Sequence, residues 1–278
     1  MGSGCGQGGN GGNGGANLAY TRFLFVIART DDDAHGSRLR TAGANIARGF
    51  FNDFDIDDSR ETQVQAFETI QFLVRDGETR PLPETTPPPH INMARYAVQI
   101  TSKYRPRLQE IDDEFRRRLG EETAEIITLE GAARNPRYSS AEMVNYSNRG
   151  APPRRSGRIS RNAIIIPIRK TAEWWQKSAL ERHSYFYPHV DHASASPVKG
   201  HALAAEKGIG SLYRRVYHNP DGYERANEFD FVTYFECDDE ALPVFEQVMG
   251  SLRDFHQNPE WRYVEEGPIW RGRRVLRW

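Results

Sequence analysis

Cysteine is scarce in this sequence, which excludes a fold held together by disulfides or by a cysteine-ligated zinc ion. The 278 residues include two cysteines, Cys5 and Cys237, which lie far apart and form no CxxC pair. Long apolar runs are lacking too, since no stretch approaches the ~18 residues that a membrane-spanning helix needs. We therefore expect no membrane-spanning segment.

An excess of either charge is also absent, which argues against a polyanionic partner. Lysine and arginine number 37 and aspartate and glutamate 38, so the formal net charge is −1. A chain that binds nucleic acid or an anionic membrane surface is typically basic. We therefore expect neither as a partner.

The first 17 residues, MGSGCGQGGNGGNGGAN, lack the apolar stretch of a signal peptide and are rich in glycine. This composition predicts a flexible tail or a cloning remnant. As the sequence stands, a cytoplasmic location is favoured, and a periplasmic one follows if a signal peptide has been removed.

Residues 18–131 show the patterns of six elements in the order β-α-β-β-α-β, which is that of the ferredoxin-like fold. Apolar runs or alternation predict strands at 20–28, 64–74, 94–100 and 124–129, with a proline-rich segment at 78–90. Apolar residues at helical spacing predict one helix capped within 31–33 and a second between Pro106 and Gly120. The two apolar faces consist of Leu39, Ala42, Ile46, Phe50, Leu108, Ile111, Phe115 and Leu119.

The second half repeats this order after a linker at 132–160 that is rich in proline, arginine and serine. Residues 161–278 predict strands at 163–168, 209–218, 229–236 and from 261 to 264. They also predict a helix over 171–187 and a later one capped by Asp238 or Asp239. An insertion at 182–200 interrupts the pattern.

The repeated order predicts an α+β fold in which two ferredoxin-like βαββαβ halves form a dimeric α+β barrel, with the helices outside. Such an arrangement leaves an apolar space at the mouth of the second sheet, which a flat cofactor can enter.

Histidines are concentrated in the second half, where five of the eight lie between positions 183 and 218. A zinc site at His183, His189 and His192 is a weak alternative, because their spacing matches no common ligand motif. His201 stands in KGHALAAE, where small neighbours leave room for a large planar group. A haem site needs little more than one axial donor, an apolar cleft and a polar anchor.

Arg214 is the most unusual residue of the predicted strand at 209–218. Side chains two apart share a face of a strand, so Arg214 lies between Leu212 and Val216. A guanidinium on an apolar face is costly unless an anion meets it. An internal ion pair or a solvated edge is the alternative to an anion-binding role.

Several motifs of the second half together resemble the chlorite dismutase family of haem proteins. They are IPIRKTAEWW at 166–175, the helix-borne His201, YRRVYH at 213–218, DFVTYFE at 230–236 and FEQVMGSLRDFHQNPEWRYVE at 245–265. The first half resembles the family in element order only. The resemblance implies haem b as cofactor, a small anion as substrate, and a homo-oligomer, either a dimer or a pentamer.

The resemblance also implies an axial ligand for the haem iron. In the family a histidine precedes the distal arginine by a fixed separation, and His201 lies 214 − 201 = 13 residues before Arg214. His189 is the alternative ligand. A carboxylate that accepts the second N–H of the axial imidazole is implied as well, with Glu260 favoured over Asp254.

Four further residues are implied to line the cofactor site, and Ile166 is one of them. Lys170 matches a family lysine near the haem propionates and that carboxylate, and Trp174 and Trp175 match aromatic residues of the haem cleft. Ordinary core packing is the alternative for one of the two tryptophans.

Two positions distinguish branches of the family. Ile166 stands where the branch that decarboxylates coproporphyrin haem has a tyrosine, and Arg214 stands where that branch has a glutamine-like residue. The resemblance therefore implies a chlorite dismutase, which decomposes chlorite to chloride and O2 through a ferryl and hypochlorite pair held by Arg214.

Two other functions stay open at this point. One is a haem-binding relative with peroxidase-like activity that acts on hydrogen peroxide or nitrogen oxides. The other is a ferredoxin-like binding module without enzymatic activity.

Overall fold

The computed structural model describes residues 19–28, 34–50, 69–75, 90–120, 124–133, 161–191 and 193–277. Several predictions lie outside these residues: the glycine-rich tail, the caps at 31–33, the strand residues 64–68, most of the proline-rich segment, His192 and most of the linker. No helix among the described residues is long and apolar enough to span a membrane.

The described residues of the first half form four antiparallel strands and two α-helices. These are β1 (Ala19–Ala28), α1 (Ala34–Phe50), β2 (Thr69–Arg75), β3 (Tyr96–Ser102), α2 (Arg105–Leu119) and β4 (Ala124–Ala133). The strands lie in the order β2-β3-β1-β4. Pro106 lies in the first turn of α2, and Gly120 ends that helix with a φ of 80°.

The second half repeats the plan with extra short elements. Its strands are β5 (Arg161–Lys170), β6 (His189–Asp191), β7 (Ser196–Val198), β8 (Tyr213–His218), β9 (Phe231–Cys237), β10 (Val264–Glu266) and β11 (Trp270–Arg277). Its α-helices are α3 (Ala172–Gln176), α4 (Ala179–Ser184), α5 (Gly200–Ala204) and α6 (Leu242–Arg253), and a 3₁₀ turn covers Pro259–Tyr263. The hairpin β6–β7 forms a separate small sheet.

The two halves close into one barrel. Strands β11-β5-β9-β8 repeat the order of the first half, and the pairs β11–β2 and β4–β8 join the two sheets at their edges. The short strand β10 pairs with the end of β5. The predicted fold class, two ferredoxin-like halves in a dimeric α+β barrel, is confirmed, whereas the predicted domain boundaries stay predictions.

Strands β5 and β9 of the second half divide their side chains between two cores. The barrel interior holds one cluster, to which Tyr213, Tyr217, Tyr234 and Trp270 belong. The outer face holds another cluster, in which Ile166, Leu212 and Phe235 pack against α5 and α6. This alternation follows from the two-residue period of a strand, and it decides which residues can face an external ligand.

The helix predicted over 171–187 is in fact two short helices. Lys177 is extended, with φ −64° and ψ 144°, and Ser178 starts α4 with a capping box to Glu181. A cap of this kind inside a run ends the preceding helix, because the Ser178 hydroxyl accepts from the Glu181 N–H, which in a continuous helix would donate to the carbonyl of Lys177.

The other boundaries that differ lie near turns. The last strand begins at Trp270 and not at 261, because Pro259 starts a 3₁₀ turn there. Strand β8 begins at Tyr213 and not at 209. Helix α6 begins at Leu242 with a proline in its first turn, and no capping side chain of Asp238 is observed in this part of the structure.

Candidate functional site

The short helix that carries His201 is held by neighbouring backbone groups. The N–H of His201 donates to the carbonyl of Tyr185 at 3.0 Å, and the N–H of Ala202 donates to that of Phe186 at 3.0 Å. Gly200 starts the helix with a φ of 68°, and a Cβ there would lie 2.3 Å from the carbonyl oxygen of Tyr187. Glycine is therefore required at this position.

His201, Glu260 and Lys170 form a hydrogen-bonded group at the centre of the site. The His201 Nδ1 lies 3.0 Å from Glu260 Oε2, and the Lys170 Nζ donates to Glu260 Oε1 at 2.6 Å. With Nδ1–H donating to the carboxylate, the tautomer of the imidazole is fixed and the lone pair lies on Nε2. Nε2 is therefore the atom that can coordinate a metal.

The charges of this group favour an ionised Glu260. Burial by itself raises the pKa of Glu260, but Lys170 and His201 outweigh burial and hold that pKa far below its ordinary value of 4.5. Burial lowers the pKa of Lys170, while the carboxylates of Glu260 and Asp230 oppose this effect. The carboxylate is thus an acceptor for both neighbours at neutral pH.

The two tryptophans have different surroundings. Trp174 is 1% exposed, and the Lys170 ammonium lies 4.2 Å from the centre of its ring. The Trp174 Nε1 is buried and has no hydrogen-bond partner among the described residues. Trp175 stacks on Tyr223 at 4.3 Å, and its Nε1 donates to Asp230 at 3.3 Å.

Arg214 lies on the side of the sheet that α5 covers. Leu212, two residues earlier on the same face, packs in one cluster with Ala204 of α5. Ile166 belongs to this cluster and is fully buried. Arg215 faces the other way, with its guanidinium 5.0 Å from the ring of Tyr213 in the barrel interior.

The alternative site residues make other contacts. The Nδ1 of His189 lies 2.8 Å from the carbonyl oxygen of Tyr187. Asp254 accepts hydrogen bonds from the His256 N–H and the Gln257 side chain. No group of three or more metal-binding side chains occurs among the residues described, and His192 of the zinc alternative lies outside them.

A cleft of about 440 Å³ lies elsewhere, between α5 and α6. Its lining residues are Lys199, Leu203, Ala204, Glu206, Lys207, Gln247, Gly250, Ser251 and Gln257. Neither His201 nor Arg214 is among them. The candidate site is therefore identified by the hydrogen-bonded group of His201, Glu260 and Lys170 and by its position on the face of the sheet that α5 covers. This cleft is not part of it.

Two further residues near this site, Asp230 and Arg262, were not predicted from the sequence. Asp230 is 2% exposed and accepts from the Lys170 N–H at 2.7 Å as well as from Trp175. Arg262 bonds to Asp191 of the β6–β7 hairpin. Asp230 precedes strand β9 directly, and an acidic residue at the start of an apolar strand was the available signal.

The chain is similar to chlorite dismutases in sequence and in structure, although no family model matches it. A chlorite dismutase from Ideonella dechloratans is 26% identical over 132 residues, which cover 47% of this chain and 40% of that protein. The chain thus spans less than half the length of this curated relative.

Solved structures of chlorite dismutase from Candidatus Nitrospira defluvii share the fold. The complex with imidazole has a TM-score of 0.62 at 18% identity, and a mutant in complex with cyanide has a TM-score of 0.60 at 18% identity. Both comparisons cover 94% of this chain and 92% of the other. The chain therefore has the chlorite dismutase fold, and the resemblance to that family predicted from its motifs is confirmed.

Proposed function

We propose that this protein is a haem b enzyme that decomposes chlorite to chloride and O2. The observation that carries the proposal is the group formed by His201, Glu260 and Lys170 on the side of the sheet that presents Arg214. The relatives named chlorite dismutase support the same activity.

The residues present fit a haem. His201 would hold the haem iron through Nε2, because its Nδ1–H donates a hydrogen bond to Glu260. Lys170 and the buried Nε1 of Trp174 are donors that suit the carboxylate groups of a haem edge. When bound, haem supplies the redox-active iron at which chlorite is decomposed.

Arg214 supplies the fixed positive charge that the substrate requires. A guanidinium stays protonated at every relevant pH, so it attracts chlorite and orients it by charge-assisted hydrogen bonds. The same charge would hold the hypochlorite fragment that remains after the first chlorine–oxygen bond breaks, until the one oxygen–oxygen bond of O2 has formed and chloride leaves. Removal of one such preorganised donor costs a rate factor on the order of 100.

The experiment measures O2 release with an electrode after chlorite is added to protein of known haem content. Arg214→Ala should retain haem and lose about 99% of the O2 release per haem. Arg215→Ala is the matched control, because it removes the neighbouring charge on the opposite face and should keep the parental rate.

Three outcomes decide between the functions. Equal turnover in Arg214→Ala and Arg215→Ala would remove Arg214 from the reaction. A protein that binds haem, releases no O2 from chlorite and consumes peroxide would fit the peroxidase-like alternative. A protein that binds no haem would fit the binding module.

Homo-oligomerisation stays a prediction, which light scattering would measure.

A further inference from the structure

The insertion that separates α3 from α5 lies against both partners of the His201–Glu260 hydrogen bond. At its start, the carbonyls of Tyr185 and Phe186 accept from the N–H groups of His201 and Ala202 in α5. At its end, the N–H groups of Lys199 and Gly200 both donate to the carbonyl of Gln257, at 2.9 and 3.1 Å, just before the turn that carries Glu260. The insertion is thus bonded to both elements.

An ion pair connects the hairpin of the insertion to the same turn. The Arg262 Nη1 lies 3.2 Å from Asp191 Oδ2 and 3.4 Å from Asp191 Oδ1, and Arg262 belongs to the 3₁₀ turn of Glu260. The Asp191 side chain is 7% exposed and also accepts from the Ser194 backbone and hydroxyl groups. Asp191 therefore links the hairpin turn to the segment that presents the carboxylate.

Such a link matters because the elements it joins are very short. Helix α5 and the 3₁₀ turn each contain five residues. Helices of this length are not stable by themselves, so their relative position must come from contacts with other parts of the chain. The hydrogen bond between His201 and Glu260 therefore forms only if other parts of the chain fix the positions of both α5 and the 3₁₀ turn.

We infer that residues 185–191 and 193–199 form a brace that positions the His201 imidazole against Glu260, with Asp191 and Arg262 as the positioning residues that close it. The inference rests on the proposed function in one respect only, namely that the His201 imidazole binds a haem iron. The geometry of the brace belongs to the protein chain alone and is testable without haem.

The first test uses the haem-free protein and hydrogen–deuterium exchange. Asp191→Asn and Arg262→Gln each keep a side chain of similar size and remove one charge of the pair. Exchange in peptides that cover 199–205 should become about two- to fivefold faster in either variant, because local opening becomes easier. The double variant should be no faster than the faster single variant, because both remove one interaction.

Glu246→Gln is the matched control, because Glu246 pairs with Arg271 at 2.6 Å on the exposed outer surface. It should leave exchange at 199–205 unchanged. Parental exchange in both Asp191→Asn and Arg262→Gln would overturn the brace. So would exchange that rises equally over the whole chain, since that reports a general loss of stability.

The second test uses the haem-loaded protein. A looser His201–Glu260 bond makes the imidazole a weaker donor, so the ferric–ferrous reduction potential should rise and haem loss should be faster in both brace variants. An unchanged potential in both variants would also overturn the inference, because the brace would then not position the imidazole. If the parent protein binds no haem, the proposed function fails, while the exchange result still decides on the brace.

Discussion

Glu260 shows how one buried carboxylate can organise a site. It is in contact with two cationic or potentially cationic groups, and its side chain is 14% exposed. A buried carboxylate is unfavourable alone, and Lys170 and His201 make the ionised form the stable one. Removing its charge should therefore lower the stability of the protein and weaken the hydrogen bond that fixes the tautomer of the His201 imidazole.

Glu260→Gln should lower the free energy of unfolding by about 3 kcal/mol at pH 7, because it removes the carboxylate to which the buried Lys170 ammonium donates. The folded-state pKa of Glu260 is depressed, so its stabilising effect is present above about pH 4.5 and is lost as the pH falls below that value. Urea unfolding at several pH values should show the difference between variant and parent shrinking in acid.

Glu266→Gln serves as the control for that measurement. Glu266 pairs with the more exposed Arg253 at 2.7 Å, so its loss should cost about 1 kcal/mol or less. Equal losses in the two variants would contradict the special role of Glu260.

His201→Ala should abolish stoichiometric haem binding, whereas His189→Ala should retain it. The Nδ1 of His201 bonds to a carboxylate, which makes Nε2 a strong donor to a metal. The Nδ1 of His189 lies beside an uncharged backbone carbonyl, which strengthens Nε2 less. The Soret band during a haem titration measures both. Retained binding in His201→Ala together with loss in His189→Ala would reverse the assignment.

At the scale of elements, the position of α5 depends on its first residue. Gly200 has a positive φ and lies against the backbone of Tyr187. Side chains are strained at such a φ, and here a Cβ also has no space. The position of the helix that carries His201 therefore depends on the glycine at its start, because a helix of five residues is too short to be stable by itself.

Gly200→Ala should destabilise the protein by about 3 kcal/mol and weaken haem binding, because it adds a backbone clash to the cost of the positive φ. Gly210→Ala is the matched control: its φ is 79°, and its Cβ would meet nothing within 4 Å among the described residues. That variant should lose about 1 kcal/mol and keep its haem affinity. Urea unfolding and haem titration measure both, and equal effects would contradict the proposed seating of α5.

At the scale of the whole molecule, the barrel closes through two unequal seams. Strands β11 and β2 share five paired positions, whereas β4 and β8 share the single pair Ala132–His218. The weaker seam is packed closely, since a Cβ on Gly131 would lie 2.5 Å from the Cβ of Tyr217. At the seam between β4 and β8, side-chain packing therefore contributes more to joining the two halves than backbone pairing does.

Gly131→Ala should therefore destabilise the barrel by about 2 kcal/mol, through overpacking at the weaker seam. Gly250→Ala is the control of opposite sign, because Gly250 lies in α6 and its Cβ would be clear of the described residues. Alanine favours a helix over glycine, so this variant should gain about 0.5–1 kcal/mol. Thermal unfolding would measure both, and an unchanged midpoint for Gly131→Ala would contradict this account of the seam.

The sequence by itself determined the repeated element order, because apolar periods of two and of about 3.6 residues are local properties. It also indicated the candidate donors, since His201, Glu260, Lys170 and Arg214 stand within short motifs. Boundaries near Ser178 and Pro259 were less predictable, because caps and turns compete with the apolar period there.

Only the tertiary structure decided which carboxylate meets which histidine. Glu260 and Asp254 are close in the sequence, and the fold of the turn at Pro259–Tyr263 brings one of them to His201, 59 positions away, while the other binds its own neighbours. The closure of the barrel and the attachment of the insertion to that turn are likewise contacts between distant segments. Sequence periodicity describes which face a residue occupies, but distances between faces depend on how the whole chain packs.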